Sequence, residues 1–173
     1  SGFSVMTDEG YMTTDGVIPF FSTRKHEAIS GKRDLYIKDG TKEAALAEDV
    51  YGDYAVVDGS SVIYMRATET GFNVVKKIGE EETKAFAFNG DFSLNYLYYN
   101  EYLLEKKTGK LFNVKTGEEK QIKEYKMLTP ESIVVSPDGK YLVVLGTAKN
   151  VVDYQLYIFN LDTGKCTKYQ DVN

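Results

Sequence analysis

Glycine turns of two kinds alternate along this chain, and their spacing narrows the fold more than any other feature. One kind is acidic or amide: Asp15-Gly16, Asp58-Gly59, Asn89-Gly90 and Asp138-Gly139. The other follows a strand rich in Tyr or Phe: Asp39-Gly40, Thr70-Gly71, Thr116-Gly117 and Thr163-Gly164. Glycine at such places supplies the positive φ that tight hairpins demand. Gly40, Gly71, Gly117 and Gly164 lie 31, 46 and 47 residues apart. A period in the forties is the length of a four-stranded propeller blade.

The runs between these turns read as strands. Glu131-Ser132-Ile133-Val134-Val135 leads into Ser136-Pro137-Asp138-Gly139, and Tyr141-Leu142-Val143-Val144-Leu145 follows. Gln155-Leu156-Tyr157-Ile158-Phe159 comes next, then the turn at Asp162-Thr163-Gly164-Lys165 and a last strand over 166–170. Leu35-Tyr36-Ile37-Lys38-Asp39-Gly40 repeats the pattern of Leu156 to Lys165 upstream, Tyr54 to Asp58 precedes Val62 to Met65, and Ala85 to Phe88 precedes Tyr96, Tyr98 and Tyr99. The chain, 1–173, is read as one all-β domain, a β-propeller of about four antiparallel blades, with units at about 3–48, 50–80, 83–124 and 131–172. The second unit is short, and the third holds a further hairpin candidate at Thr108-Gly109. Thr41 to Glu48 contains good helix formers, yet it fills the slot of an outer strand and is too short for a stable helix. It is expected as strand or irregular edge.

The sequence SPDGKYLVV from Ser136 to Val144, together with Leu156 to Lys165, resembles the TolB-type propeller repeat. That repeat is similar to those of the N-terminal propellers of prolyl-oligopeptidase-family enzymes. The signature covers one blade; residues 34–65 look like a degenerate form common in surface and envelope proteins of Gram-positive bacteria, and the other units match in rhythm alone. The resemblance implies radial blades and frequent residence outside the cytoplasm. It implies no single function, because propellers host many. Such propellers usually carry six or more blades, and this chain has room for about four. Three arrangements fit: a four-bladed ring, a fragment of a longer protein, or a half-ring that forms a homodimer and hides its open edges by symmetry. A β-sandwich built from the same hairpins is the alternative fold.

Charge and composition then exclude partners. The net charge is −5 and the pI about 5.0, which argues against nucleic acid, since phosphate binding needs a concentrated basic face. No apolar run reaches the roughly 18 residues that span a bilayer, so no membrane insertion is expected in this segment. No signal peptide opens the chain; Ser1-Gly2 reads as a leftover of cloning, which leaves an upstream export signal or anchor open. Cys166 is the one cysteine, so no intrachain disulfide forms.

Candidate chemistry is sparse. A Ser-His-Asp hydrolase would need His26, the one histidine, which sits in a polar loop-like stretch, and no G-x-S-x-G elbow exists. A zinc site needs three or four Cys or His ligands. Calcium ligands among Asp8-Glu9, Asp15 or Glu80-Glu81-Glu82 lack the D-x-D-x-D-G spacing. Cys166 lies beside Lys165 and Lys168, and nearby lysines lower a thiol pKa, although a small residue filling a strand position is the plainer reading. No catalytic residues, metal or cofactor are expected. The 14 tyrosines offer the one suggestive cluster: Tyr96, Tyr98, Tyr99 and Tyr102. On a strand Tyr96 and Tyr98 share one face while Leu97 and Tyr99 share the other. Tyrosine gives a binding surface apolar area with a polar tip, and it serves packing between blades equally well.

The expected function is a non-catalytic binding or scaffolding module of a bacterial envelope or extracytoplasmic protein, engaging a protein, peptide or glycan. The alternatives are a carboxylate-based hydrolase or lyase with its site at the propeller channel, and a structural self-assembly domain.

Overall fold

A computed structural model describes residues 3–5, 18–22, 32–51, 54–58, 61–125, 128–148 and 150–169. Asp15-Gly16, Gly59, His26 and Asp8-Glu9 lie outside the described residues. The chain divides into two compact units, Ser1–Phe92 and Ser93–Asn173.

The first unit holds β1 (Phe3–Val5), β2 (Ile18–Ser22), β3 (Lys32–Asp39), β4 (Lys42–Tyr51), β5 (Ala55–Asp58), β6 (Ser61–Ala67), β7 (Gly71–Ile78) and β8 (Glu81–Asn89). They make two antiparallel sheets, ordered β2-β3-β4 and β1-β5-β6-β7-β8. Of Thr41 to Glu48, Lys42 onward is strand, as expected: Lys42 opens β4 across a turn at Gly40 and Thr41. Register explains the core. Ala55, Val57, Val62, Tyr64 and Val75 fall on one face of the larger sheet and join Leu35, Ala47 and Val50 of the smaller one in a single buried cluster. Val56, Ile63, Met65, Phe72 and Val74 are buried on the opposite face, where Phe72 meets Phe88 and, edge-on, Phe92. Because both faces are covered, β6 reads as a continuous apolar run, Val62-Ile63-Tyr64-Met65. Asp34, the buried charged residue of this unit, accepts the Asp49 N–H at 3.2 Å beside a bulge in the β3–β4 ladder.

Two strands fall elsewhere than the sequence units place them. Phe3–Val5 leaves the sequence repeat at 3–48 and pairs with β5 of the next repeat, Phe3 opposite Val57. Residues 81–89 belong to the second sheet and not the third, since Phe88 pairs with Phe72 and Phe86 with Val74. The turn that carries β7 into β8 is Gly79-Glu80, with Gly79 at φ 58; the apolar Ile78 before it hides it from a search for polar-Gly pairs. Gly71, conversely, closes the β6–β7 turn, where its N–H donates to Thr68 Oγ1 at 3.0 Å, without a positive φ. It opens β7, and a Cβ there would lie 2.1 Å from the Phe88 carbonyl oxygen. Close backbone approach, not positive φ, demands glycine at this position.

A helical turn, α1 (Phe92–Asn95), leads to the second unit: β9 (Tyr96–Tyr99), β10 (Tyr102–Glu105), β11 (Lys110–Asn113), β12 (Glu119–Gln121), β13 (Leu128–Val135), β14 (Tyr141–Ala148), β15 (Gln155–Asn160) and β16 (Cys166–Tyr169). These make two antiparallel meanders of four strands each. Their shared core sets Leu104 and Leu111 against Ile133, Val135, Leu142, Val144, Tyr157 and Phe159. The last six alternate along β13, β14 and β15 and fall on one face by register. Pro130 is tolerated because β13 is an edge strand with a bulge at that point.

The Thr-Gly turns of this unit have one construction, used twice. Asn113 Oδ1 accepts the N–H groups of Lys115 and Thr116 at 3.0 and 3.1 Å. Asn160 Oδ1 accepts those of Asp162 and Thr163 at 3.0 and 2.9 Å. In both, the glycine N–H returns to the Asn carbonyl, with Gly117 at φ 77 and Gly164 at φ 72. An Asn side chain that imitates a backbone turn therefore starts each hairpin. Thr108-Gly109 closes the β10–β11 hairpin with the same backbone bond, the Gly109 N–H to the Glu105 carbonyl, but there the Glu105 carboxylate accepts the Thr108 hydroxyl.

Candidate functional site

The β9–β10 hairpin and the turn between β13 and β14 build the site. Asn100 turns the first hairpin at φ 49, a left-handed conformation that Asn tolerates better than most residues. Tyr99 stands opposite Tyr102, Tyr98 opposite Leu103, Leu97 opposite Leu104 and Tyr96 opposite Glu105. Leu97, Tyr99, Tyr102 and Leu104 thus share the face that packs on the core of this unit. Tyr96, Tyr98 and Leu103 share the other.

In the second turn, Ser136 Oγ and Asp138 Oδ1 lie 2.6 Å apart. The Lys140 N–H donates to Asp138 Oδ1 at 3.1 Å, and the Tyr141 N–H donates to Ser136 Oγ at 2.9 Å. The serine hydroxyl and the Lys140 N–H hold the Asp138 carboxyl below the usual range, so it stays charged. Gly139 is at φ 68, and a Cβ there would come within 3.0 Å of the Tyr102 hydroxyl.

Between the two turns lies a cleft of about 210 Å³, lined by Tyr99, Asn100, Glu101, Tyr102, Val134, Val135, Ser136 and Pro137. Whole-ligand pockets start at roughly 300 Å³, so this one suits a single side chain or ring. Val134 is an apolar wall that stays 47% exposed.

The structure brings two of the four expected tyrosines, Tyr99 and Tyr102, to this cleft, both half-buried. Tyr98 is half-buried on the opposite face and Tyr96 is 5% exposed, a core residue. Burial, and then the charge of Glu105, pushes the Tyr96 phenol up to about 12. Burial, and then Glu101, raises that of Tyr102. Both phenols are neutral in ordinary conditions. The other wall, Val134 to Pro137, was legible as a repeat signature but not as a site. What could have found it is Tyr99-Asn100-Glu101-Tyr102 itself, a two-residue hairpin that projects its rings side by side.

The remaining candidates do other things. Burial, and then Glu124, raises the Cys166 thiol pKa, the reverse of what its lysine neighbours suggest; the Cys166 N–H donates to Glu124 Oε2 at 2.6 Å. Glu82 pairs with Arg66 at 2.7 Å and accepts the Tyr64 hydroxyl at 2.5 Å. Among the described residues, no three His, Cys, Asp or Glu side chains are grouped to hold a metal ion, and no helix is long and apolar enough to cross a membrane.

Hairpin-linked antiparallel sheets following one another along the chain define a β-propeller fold, not a sandwich. Solved structures bear this out. The chain is similar to the tricorn protease, with a TM-score of 0.62 and 15% identity over 99% of this chain and 18% of that one. It is similar to TolB from Acinetobacter baumannii, with a TM-score of 0.54 and 11% identity over 88% of this chain and 40% of that one. The putative TolB from Agrobacterium tumefaciens gives a TM-score of 0.56 and 14% identity over 91% and 62%. The resemblance to the TolB-type repeat therefore holds at the level of fold. The chain spans less than two thirds of the length of each of these proteins. No protein-family model matches the sequence, and no curated protein matches it.

Proposed function

We propose that this chain is a non-catalytic binding or scaffolding module of a bacterial envelope or extracytoplasmic protein, and that it engages a protein, peptide or glycan. The observation that carries the reading is the cleft walled by Tyr99 and Tyr102 on one hairpin and by Val134 to Pro137 on the next. Half-buried tyrosines beside an exposed valine give apolar contact area with hydroxyl tips, the composition that concentrates binding energy at recognition surfaces. A volume suited to one side chain fits recognition of part of a chain-like partner better than enclosure of a substrate. The TolB fold likenesses support the envelope assignment.

Val134→Arg tests the proposal. Val134 sits on an edge strand and is exposed enough for a long side chain to leave the fold intact. The wild-type chain and the variant are passed over arrays of short peptides and of bacterial-type oligosaccharides. The expected result is a set of probes retained by the wild type and released by the variant, with unchanged circular dichroism. Equal retention of every probe by the two proteins would place the contact surface elsewhere.

A further inference from the structure

Resting on the reading of this cleft as the binding surface, we infer that it recognises a basic side chain, the lysine or arginine of an extended peptide. The lining chemistry selects the charge. Of the eight residues around the cleft, one, Glu101, carries a carboxyl group, and none is Lys or Arg. Glu101 is half-buried in the turn that joins the two tyrosine-bearing strands. Tyr99 and Tyr102 are a directly opposed cross-strand pair, which puts their Cβ atoms about 5 Å apart on one face. Two phenol rings and one carboxyl group line the same small space. That is the arrangement that attracts ammonium and guanidinium groups.

Charge beyond the lining agrees. Asp138 follows Ser136 and Pro137 in the second wall and remains ionised through its hydrogen bonds with Ser136 and Lys140. Lys140 is the cation nearest in sequence to that wall; it is exposed, its backbone N–H holds the turn, and its ammonium adds a weaker charge attraction to Asp138. The chain's net charge of −5 favours approach of cations over anions. Size limits the guest to a side chain: about 210 Å³ admits a lysine or arginine tip, with its aliphatic stem lying along Val134 and Pro137.

The test is nuclear magnetic resonance titration of the 19.5 kDa chain with short acetylated alanine peptides that carry a central arginine, lysine, norleucine or glutamate. The expected result is saturable shifts at residues 99–102 and 134–137 with the arginine and lysine peptides, and none there with the glutamate peptide. The norleucine peptide, which keeps the stem and lacks the charge, binds about tenfold more weakly. Glu101→Gln brings the arginine peptide down to the same level, and Val134→Arg abolishes its shifts. Equal affinity of norleucine and lysine peptides overturns the inference while leaving the cleft as an apolar binding site. Saturable shifts at these residues with chitobiose and none with any peptide overturn it in favour of glycan. Saturable shifts confined to other residues, for every probe, overturn both this inference and the placement of the binding surface.

Discussion

The two compact units are made from the same part, an antiparallel sheet of hairpin-linked strands, but they are assembled by different rules. In the second unit each sheet is one unbroken stretch of chain: β9 to β12, then β13 to β16. Every turn there closes on neighbours a few residues away. In the first unit β1 passes over the strands that follow it and pairs with β5, so one sheet has five strands and the other three. Local turn chemistry is enough to specify the second arrangement. The first depends on a pairing between distant segments, whose loop-closure cost must be met by the apolar strand β5 it joins. The difference shows where a turn signal carries structural information and where it does not.

Two glycines test that division with the largest expected effect. Gly71 of the first unit closes a turn but is needed as a spacer: an added Cβ would lie 2.1 Å from the Phe88 carbonyl oxygen and 2.8 Å from the Asn89 Cα. Those are backbone atoms of a paired strand and do not swing aside, so Gly71→Ala is expected to cost about 3 kcal/mol. Gly40 is a positive-φ turn glycine, at φ 56 with nothing within 4 Å of its added Cβ. Gly40→Ala is expected to cost about 1 kcal/mol, the left-handed penalty alone. Urea unfolding of both variants measures the gap. Equal losses would mean that the strand β7 shifts freely and that Gly71 has no special place.

The next effect belongs to the second unit. Asn113→Ala and Asn160→Ala each remove an acceptor for two turn N–H groups. These turns are exposed, so water replaces part of what is lost, and about 1 kcal/mol is expected for each. The turns share one construction, but the Asn113 side chain also hydrogen-bonds Tyr102, so its loss should be the larger of the two, and the losses should add in the double variant. A loss confined to one of them would show that the repeat is one of sequence only.

These cases explain how much could be read in advance. The strands around Ser136-Pro137-Asp138-Gly139 and Thr163-Gly164 were legible because each hairpin is held by groups within six residues of one another. Lys42 to Glu48 was legible as strand because its position in the repeat outweighs its helix propensity. The swap of β1 was not legible, since nothing in Phe3-Ser4-Val5 names Val57 as its partner. Residues 83–89 pair in the second sheet and not in the third unit, where the repeat places them, because Gly79 follows isoleucine, which is no turn signal. At the site, the period of two placed Tyr99 and Tyr96 on opposite faces correctly. It could not show that both faces are covered: Tyr96 and Leu103 are buried on one, while Tyr99 and Tyr102, beside the core on the other, border a cleft because they flank the hairpin turn.

The smallest expected effect asks whether charge adds to the first unit what turn chemistry gives the second. Glu82 on β8 reaches across β7 to Arg66 and Tyr64 on β6, and Arg66 also lies over the Tyr64 ring. Hydrogen bonds from Arg66, then from Tyr64, hold the Glu82 carboxyl below its ordinary value of 4.5. A carboxylate depressed in the folded state stabilises fully above the unfolded value, and that contribution disappears as pH falls through the folded one. Since the Arg66 and Glu82 side chains are 40% and 32% exposed, solvent screening limits the pair to about 0.5 kcal/mol. Glu82→Gln keeps an acceptor for the Tyr64 hydroxyl and removes the charge alone. Its melting temperature should fall slightly below that of the wild type near neutral pH, and the two should converge as pH falls below 4.5 and through the lowered folded-state value. A constant difference across that range would assign the loss to packing around Tyr64. The cross-strand link would then be a matter of shape, and the first unit would owe its distant pairing to apolar burial alone.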